Sequence, residues 1–433
     1  MSKAAAPTHV AFRYMKRFHC IGGDCESSCC SGGWSIAIDR EHYELTRDAM
    51  KGSVETRQEF DAKFERVKTV ARTVRRHALA VLQSNGDCSF LAADRLCSLQ
   101  TRYGAKVLSD TCTVYPRAVS RSGDRLELAG VSSCPEVARQ LLLHEDALEL
   151  DAVSDEQFRR PGLVRTLSER PAHPYERYHD ELRNLMMDLL SDKTYPLTTR
   201  LCFIAYLANR LGPFLHRDAK QLDEGRLLAE VERIQDPDLR AELHREFADL
   251  RIEPEFSSRV VIALLAARSP VAGLRELIHA CLAEYGGPAA DALGRTYVPS
   301  AEEVGQLVLS YQRHKLAWAE YAPRIDGYLA NYAKNYWARE WYVSSPNLLT
   351  HAVLLFSRLA TLRFLLFGHP LLAQALDQPR ADRERALDRA VVQTVQKFSR
   401  AFEHDAVFTA GLRDKLADAK LITLAHATCL ASF

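Results

Sequence analysis

Eight of the eleven cysteines in this 433-residue chain fall in its first third. Cys20, Cys25, Cys29 and Cys30 crowd one short stretch, and Cys88, Cys97, Cys112 and Cys134 follow. Thiols at this density either ligate metal or pair as disulfides. The opening residues MSKAAAPTHVAFRYMKRFHC lack the unbroken apolar core and small-residue cleavage site of a secretory signal. They predict a cytoplasmic chain whose thiols stay reduced, which favours metal. Two tetrahedral zinc sites would use all eight thiolates, and one [4Fe–4S] cluster would use four. The C-x4-C-x3-C-C spacing matches neither ferredoxin pattern, and Gly32 stands where a C-x3-C-x2-C radical-cluster signature needs its last cysteine. Zinc and iron–sulfur therefore both stay open, and structural thiols are the remaining reading. Because neighbouring side chains diverge, Cys29 and Cys30 are expected to serve different partners. Cys202, Cys281 and Cys429 stand singly among apolar residues and read as core.

The elements that must position the eight thiols are short. Apolar periodicity predicts helices over Asp39–Met50 and Glu55–Gln83, the second through Phe60, Phe64, Val67, Val70 or Ala71, and Val74. Its basic residues Arg66, Lys68, Arg72, Arg75 and Arg76 describe a solvated face or an anion patch. A hairpin over 86–99 would bring Cys88 to Cys97, helix returns over Gln100–Asp110, and a second hairpin is expected over 118–130. Ser133-Cys134-Pro135-Glu136 reads as a capping box with Pro in the first turn, which puts Cys134 at a helix N-terminus where a thiolate is stabilised. Pro161, Pro171 and Pro174 mark a linker or crossover over 151–175.

Everything after that reads as helix, with spans at 175–192, 198–211, 221–234, 237–250, 257–267, 271–285, 301–320, 321–342, 347–368, 382–403 and about 407–427. The expected fold is mainly α: a cysteine-rich metal or cluster module with short hairpins at 1–150, joined to a large all-α body at 176–433. The charge balance of 57 basic to 56 acidic residues gives no global field for nucleic acid. The longest apolar run, Val353–Phe367, is interrupted by Arg358 and Arg363 and is too short to span a bilayer, so no membrane partner is expected.

The stretches RFHCIGGDCESSCCSGGWSIAID, CSFLAADRLCSLQTRYGAKVLSDTCTVYPR and SSCPEV resemble the flagellin lysine-N-methylase family. The N-terminal part of that family is related to C-x-x-C-x-x-x-C-C zinc- or iron-chelating proteins. DGYLANYAKNYW (326–337) and VQKFSRAFEHD (395–405) resemble it at the other end of the chain. Four residues rather than two separate Cys20 from Cys25, a departure from the broad chelating pattern that goes with the methylase branch. The resemblance implies methylation of flagellin lysines, S-adenosylmethionine as donor, and a [4Fe–4S] cluster on four of the eight N-terminal cysteines.

No Gly-rich strand-to-helix loop for a Rossmann-type donor site is visible in the sequence. A sulfonium is drawn to aromatic faces, and Tyr328, Tyr332 and Tyr336, flanked by Trp337 and Trp341, form such a row, although a stripe at helical spacing is also what packed core looks like. Tyr328, Tyr332, Asn331 and Arg117 are the donor-binding candidates. Tyr115, Asp110 and Tyr332 are the candidate proton acceptors, with support of the metal site the other role for Tyr115, Asp110 and Arg117. His19 is an alternative ligand, and His404 carries resemblance alone. The competing reading is a zinc- or cluster-stabilised protein-binding module without catalytic activity.

Overall fold

The computed structural model describes residues 9–433 except 70–71, 123, 161–162, 168–170, 172, 251, 253, 267–271 and 288–299. Among the described residues nineteen α-helices stand against eight strands of two to six residues, so the protein is mainly α. The chain forms two compact units, one of Met1–Ala138 with Leu150–Thr166 and one of Arg139–Glu149 with Leu167–Phe433.

The first unit carries the strands β1 (Val10–Phe12), β2 (Ala37–Ile38), β3 (Phe64–Arg66), β4 (Ala78–Ala80), β5 (Arg117–Ser122), β6 (Arg125–Gly130), β7 (Leu150–Ala152) and β8 (Arg165–Leu167). They form a five-stranded sheet ordered β7-β1-β6-β5-β8 and a three-stranded sheet ordered β2-β4-β3. β1 runs parallel to β6 and antiparallel to β7. The hairpin expected over 118–130 is β5 and β6, with Arg117 opposite Gly130; Gly123 of its turn lies outside the described residues. Residues 151–175, expected as linker, contribute β7 and β8; Pro161 there lies outside the described residues.

The long helix expected over 55–83 is corrected. Helix runs only over Val54–Lys63, started by a capping box between Ser53 and Thr56, and Phe64 turns extended at φ −126° and ψ 131°. Phe64–Arg66 then pairs with Ala78–Ala80. Val67, Thr69, Thr73 and Val74 give the stretch little helix propensity, and the extended form buries Phe64 against Phe60, Tyr43 and Phe90, with ring centroids 4.9, 6.0 and 5.1 Å away. The basic residues from Arg66 to Arg76 thus lie on a strand and a loop and make no helix face; Val70 and Ala71 lie outside the described residues. The helix expected over 100–110 is likewise broken: Ser98–Tyr103 ends where Gly104 takes φ +81°, a conformation that suits glycine, and a 3-10 turn over Ala105–Val107 follows.

The second unit is helical through its described length. Observed helices such as His179–Ser191, Leu197–Leu211, Ala322–Arg339 and Arg380–Phe402 begin and end within a few residues of the expected spans. The final expected helix is two, Ala406–Asp418 and Leu424–Ser432, because Lys420 adopts φ +56° and Thr423 caps a new start. A short helix over Pro370–Ala375, begun by Pro at its first turn, was not expected.

At the centre lies Leu348–Phe367, all twenty residues of which are buried. It exceeds the apolar run seen in the sequence and is long and apolar enough, by length and composition, to cross a membrane, yet it is wholly enclosed by protein. Arg363 is tolerated inside because its guanidinium donates to the Ala431 and Phe433 carbonyls at 2.6 and 3.3 Å.

Candidate metal centre and buried polar network

No cysteine pair among the described residues is disulfide-bonded. The thiols gather in the first unit through loops that lock together backbone to backbone. Cys88 N–H donates to the Cys30 carbonyl at 2.7 Å, and Gly33 N–H donates to the Gly86 carbonyl at 2.9 Å. A Cβ on Gly23 would stand 2.8 Å from the Asp94 carbonyl, so only glycine lets the Cys20–Cys25 loop approach the turn that precedes Cys97. Arg95 fixes that approach by donating to the Cys25 carbonyl. In place of the hairpin expected over 86–99, Cys88 bridges back to Leu82 and Cys97 to Leu91, and the two cysteines meet only as lining of one cavity. Cys112 sits in the first turn of Asp110–Val114, whose cap Ser109 accepts from its N–H at 3.2 Å.

Cys30, Cys88, Cys97 and Cys112 line one cavity of about 30 Å³, walled otherwise by Thr46, Ser109 and apolar side chains such as Phe64 and Phe90. Burial pushes the Cys112 thiol up to about 12, with the thiols of Cys97, Cys88 and Cys29 adding to it against the Ser109 hydroxyl. The Cys29 thiol, then burial, raise Cys30. Cys134 stands directly before the helix Pro135–Leu142. As expected, the N–H groups of this helix start, those of Val137 and Glu136, pull the Cys134 thiol down; burial outweighs them and, with the Cys25 and Cys20 thiols, raises it to about 12. A cation is what would turn such crowded thiols into thiolates. Reduced sulfur donors collected in one unit fit zinc or an iron–sulfur cluster, both of which take four.

The flanking candidates have other engagements. The Tyr115 hydroxyl lies 3.1 Å from the Ser133 hydroxyl, and its ring meets Trp34 edge-on at 5.4 Å. Arg117 faces Cys20 and Cys134, although burial and Arg159 hold its guanidinium below its ordinary value. Asp110 belongs to a group missed in the sequence. Its carboxylate, that of Asp39 and the His42 ring have ligand atoms within 4.8 Å of one another. The cation there is Arg160, which donates to His42 Nε2 at 2.6 Å and lies 3.4 Å from Asp110. Arginine only donates, so His42 accepts at Nε2 and donates from Nδ1 to Asp39 at 2.7 Å. Asp39 also caps its own helix and accepts from the Asp110 N–H at 3.0 Å. Burial and then Asp39 raise the Asp110 carboxyl. His19 Nδ1 lies 2.9 Å from the Arg17 carbonyl.

In the second unit the tyrosine row lies on Ala322–Arg339, and each member is tied to protein. Tyr328 donates to Asp388 and carries Arg324 over its ring at 5.8 Å. Tyr336 carries Arg358 at 5.0 Å. Tyr332 donates to Glu403 at 2.7 Å, and burial followed by that carboxylate holds the phenol protonated. Asn331 donates to the Leu141 and His144 carbonyls at 3.0 and 2.9 Å and so caps the end of a helix. Glu403, 3% exposed, also receives Arg339 at 3.0 Å and the Ser399 hydroxyl at 3.0 Å. Burial alone would raise its carboxyl; Arg339 and Arg358, with the Tyr332 and Arg339 hydrogen bonds, hold it at about 2. The sequence carried one sign of this: Tyr332 and Glu403 sit in the two C-terminal stretches that resemble one family.

Residues 183–430 match the FliB lysine N-methylase C-terminal domain. The chain belongs to the FliB lysine N-methylase family. This family member is 29% identical over 153 residues to the lysine-N-methylase of Salmonella typhimurium, covering 32% of this chain and 33% of the relative. It is 28% identical over 153 residues to the lysine-N-methylase of Salmonella choleraesuis, covering 32% of this chain and 33% of the relative. It is also 27% identical over 173 residues to the flagellar biosynthetic protein FliU of Salmonella muenchen, covering 36% of this chain and 89% of that protein. The FliB-family chain thus spans about a third of the length of the curated lysine-N-methylases it matches. No solved structure matches it.

Proposed function

We propose that this protein is a protein-lysine N-methyltransferase acting on flagellin in the cytoplasm, with S-adenosylmethionine as donor and a [4Fe–4S] cluster held by four of its N-terminal cysteines. The domain match over 183–430 carries this reading. The likeness to a flagellar biosynthetic protein supports the substrate. The thiol-only donor set of the first unit, and its resemblance to C-x-x-C-x-x-x-C-C chelating proteins, support the cluster.

In the reaction the substrate amine, ordinarily protonated with a pKa near ~10.4, first loses a proton. Its nitrogen pair then forms the C–N bond as the methyl carbon's bond to sulfur breaks. The sulfonium supplies the methyl group and leaves as a neutral thioether. Arg117, beside Cys20 and Cys134, is a suitable cation for the donor carboxylate. The phenols of Tyr328 and Tyr332 are engaged with Asp388 and Glu403, so their part is to shape the helical unit rather than to receive a proton.

Anaerobically purified protein incubated with S-adenosylmethionine and flagellin should form methyllysine, read by mass spectrometry. The shared, mostly apolar cavity of Cys30, Cys88, Cys97 and Cys112 favours one second reading, a zinc-stabilised binding module. Stoichiometric zinc without iron, and no methyllysine, would establish that reading instead.

A further inference from the structure

We infer that Arg66, Lys68, Arg72, Arg75 and Arg76, with Arg40 beside them, form an exosite on the first unit that takes a carboxylate-rich segment of the protein substrate. The inference rests on the methyltransferase reading for what the substrate is, and on the geometry of this surface for where it docks.

Backbone hydrogen bonds gather these cations. Thr73 and Arg76 exchange N–H to carbonyl bonds at 3.2 Å, closing a tight turn with Val74 and Arg75 at its tip. The Thr73 hydroxyl also accepts from the Arg76 N–H at 3.0 Å. Arg40, the first residue of the helix Arg40–Ala49, donates its N–H to the Val74 carbonyl at 2.9 Å. Val67 N–H reaches the His77 carbonyl at 3.1 Å, which continues the pairing of β3 with β4 and brings Arg66 and Lys68 alongside the turn. The Arg72 guanidinium donates to His77 Nδ1 at 3.2 Å. The buried His77 ring lies beneath the group, and burial, then Arg72, Arg66 and Arg40, hold it below its ordinary value.

The carboxylates that would balance this charge are engaged or face away. Among the described residues Arg66, Lys68, Arg72, Arg75 and Arg76 are exposed and none is ion-paired. Glu44 is taken by Arg40 at 3.1 Å. Glu65, the single acid between Phe64 and His77, alternates to the other face of its strand from Arg66. Elsewhere exposed arginines sit against carboxylates, Arg177 with Glu224, Arg259 with Glu255 and Arg385 with Asp382. Like charges held this close repel, and a partner bearing several carboxylates relieves that repulsion as it docks. Guanidinium forks match carboxylates in shape as well as charge. The platform offers bases nothing to stack on, because Tyr43, under Arg66, is buried. Val74, 74% exposed, is its one exposed large apolar side chain, too little to enter a membrane.

The test is fluorescence anisotropy of the full chain with a labelled oligoglutamate peptide, beside methylation of flagellin. Lys68→Ser/Arg75→Ser/Arg76→Ser changes exposed side chains that make no ion pair. Arg177→Ser/Arg259→Ser/Arg385→Ser removes the same charge elsewhere. Wild type should bind the peptide, less tightly as salt rises from about 50 to about 300 mM. The first variant should bind about tenfold more weakly and raise KM for flagellin at unchanged kcat, while the second behaves as wild type. Equal binding by the two variants, or a fall in kcat at unchanged KM, would overturn the exosite. So would a single-stranded oligonucleotide of the same charge, or vesicles containing phosphatidylserine, that bound more tightly than the peptide through the same residues. Wild type that binds the peptide through these residues yet forms no methyllysine would overturn the methyltransferase reading alone, with the carboxylate-binding surface intact.

Discussion

The Tyr332 hydroxyl donates to Glu403 at 2.7 Å, joining two helical stretches 71 residues apart in the chain. Arg339 completes the buried arrangement at 3.0 Å. Removing the carboxylate takes from Arg339, whose side chain is 9% exposed, the nearer of its two acidic partners, Glu403 at 3.0 Å and Glu340 at 3.5 Å, so Glu403→Ala should cost about 3–5 kcal/mol of stability. Tyr332→Phe removes one hydrogen bond and should cost about 1–2 kcal/mol. Denaturant unfolding followed by circular dichroism separates the two. Equal and small losses would show that the network is not a source of stability.

Stability of the helical unit should depend on acid through the same residue. The Glu403 carboxyl is held at about 2 in the folded chain against an ordinary 4.5. Its stabilising effect is therefore complete above the ordinary value and is lost as pH falls from there towards 2. Integrated, this is on the order of 3 kcal/mol. Unfolding midpoints measured between neutral pH and acid should fall in wild type, and Glu403→Gln should flatten that part of the fall.

Lys334 gives the opposite slope. Burial, then Arg200 and Lys193, lower its ammonium from 10.5 to about 8. The unfolded chain keeps that proton more readily, so the residue opposes folding at neutral pH and the cost is relieved as pH rises from about 8 to beyond 10. Lys334→Met should stabilise the protein at pH 7 by roughly 1–3 kcal/mol. Thermal melts at pH 7 and pH 9.5 should show the gain shrinking with pH; a destabilised variant would mean that Lys334 makes a needed contact.

Cys281 separates core thiols from ligating ones. It is fully buried, and its thiol donates to the Leu365 carbonyl at 3.2 Å. Cys281→Ala should lower stability by about 1–2 kcal/mol and leave iron and zinc content unchanged. Any loss of metal without loss of fold would place this residue in a metal centre.

Much of the helical unit was legible in the sequence because its helices are long. Apolar residues at three- and four-residue spacing determine where Leu197–Leu211 or Arg380–Phe402 can lie, whatever surrounds them. The cysteine unit was less legible for the same physical reason reversed. Phe64 satisfies helical spacing as well as it satisfies a strand, and only the aromatic cluster with Tyr43, Phe60 and Phe90 decides for the strand.

The sequence by itself determined that cysteines are concentrated in the first third and that the rest is mainly helix. It could not divide the thiols, because which sulfurs share a cavity depends on loop contacts such as Cys30 with Cys88 and Gly33 with Gly86. Nor could it reveal what Tyr332, Asn331 and Asp110 touch. Hydrogen-bond partners distant in sequence, Glu403, the Leu141 and His144 carbonyls, and Arg160, are set by packing. Local pattern carries no record of such long-range pairs, and tertiary structure alone brings them within reach.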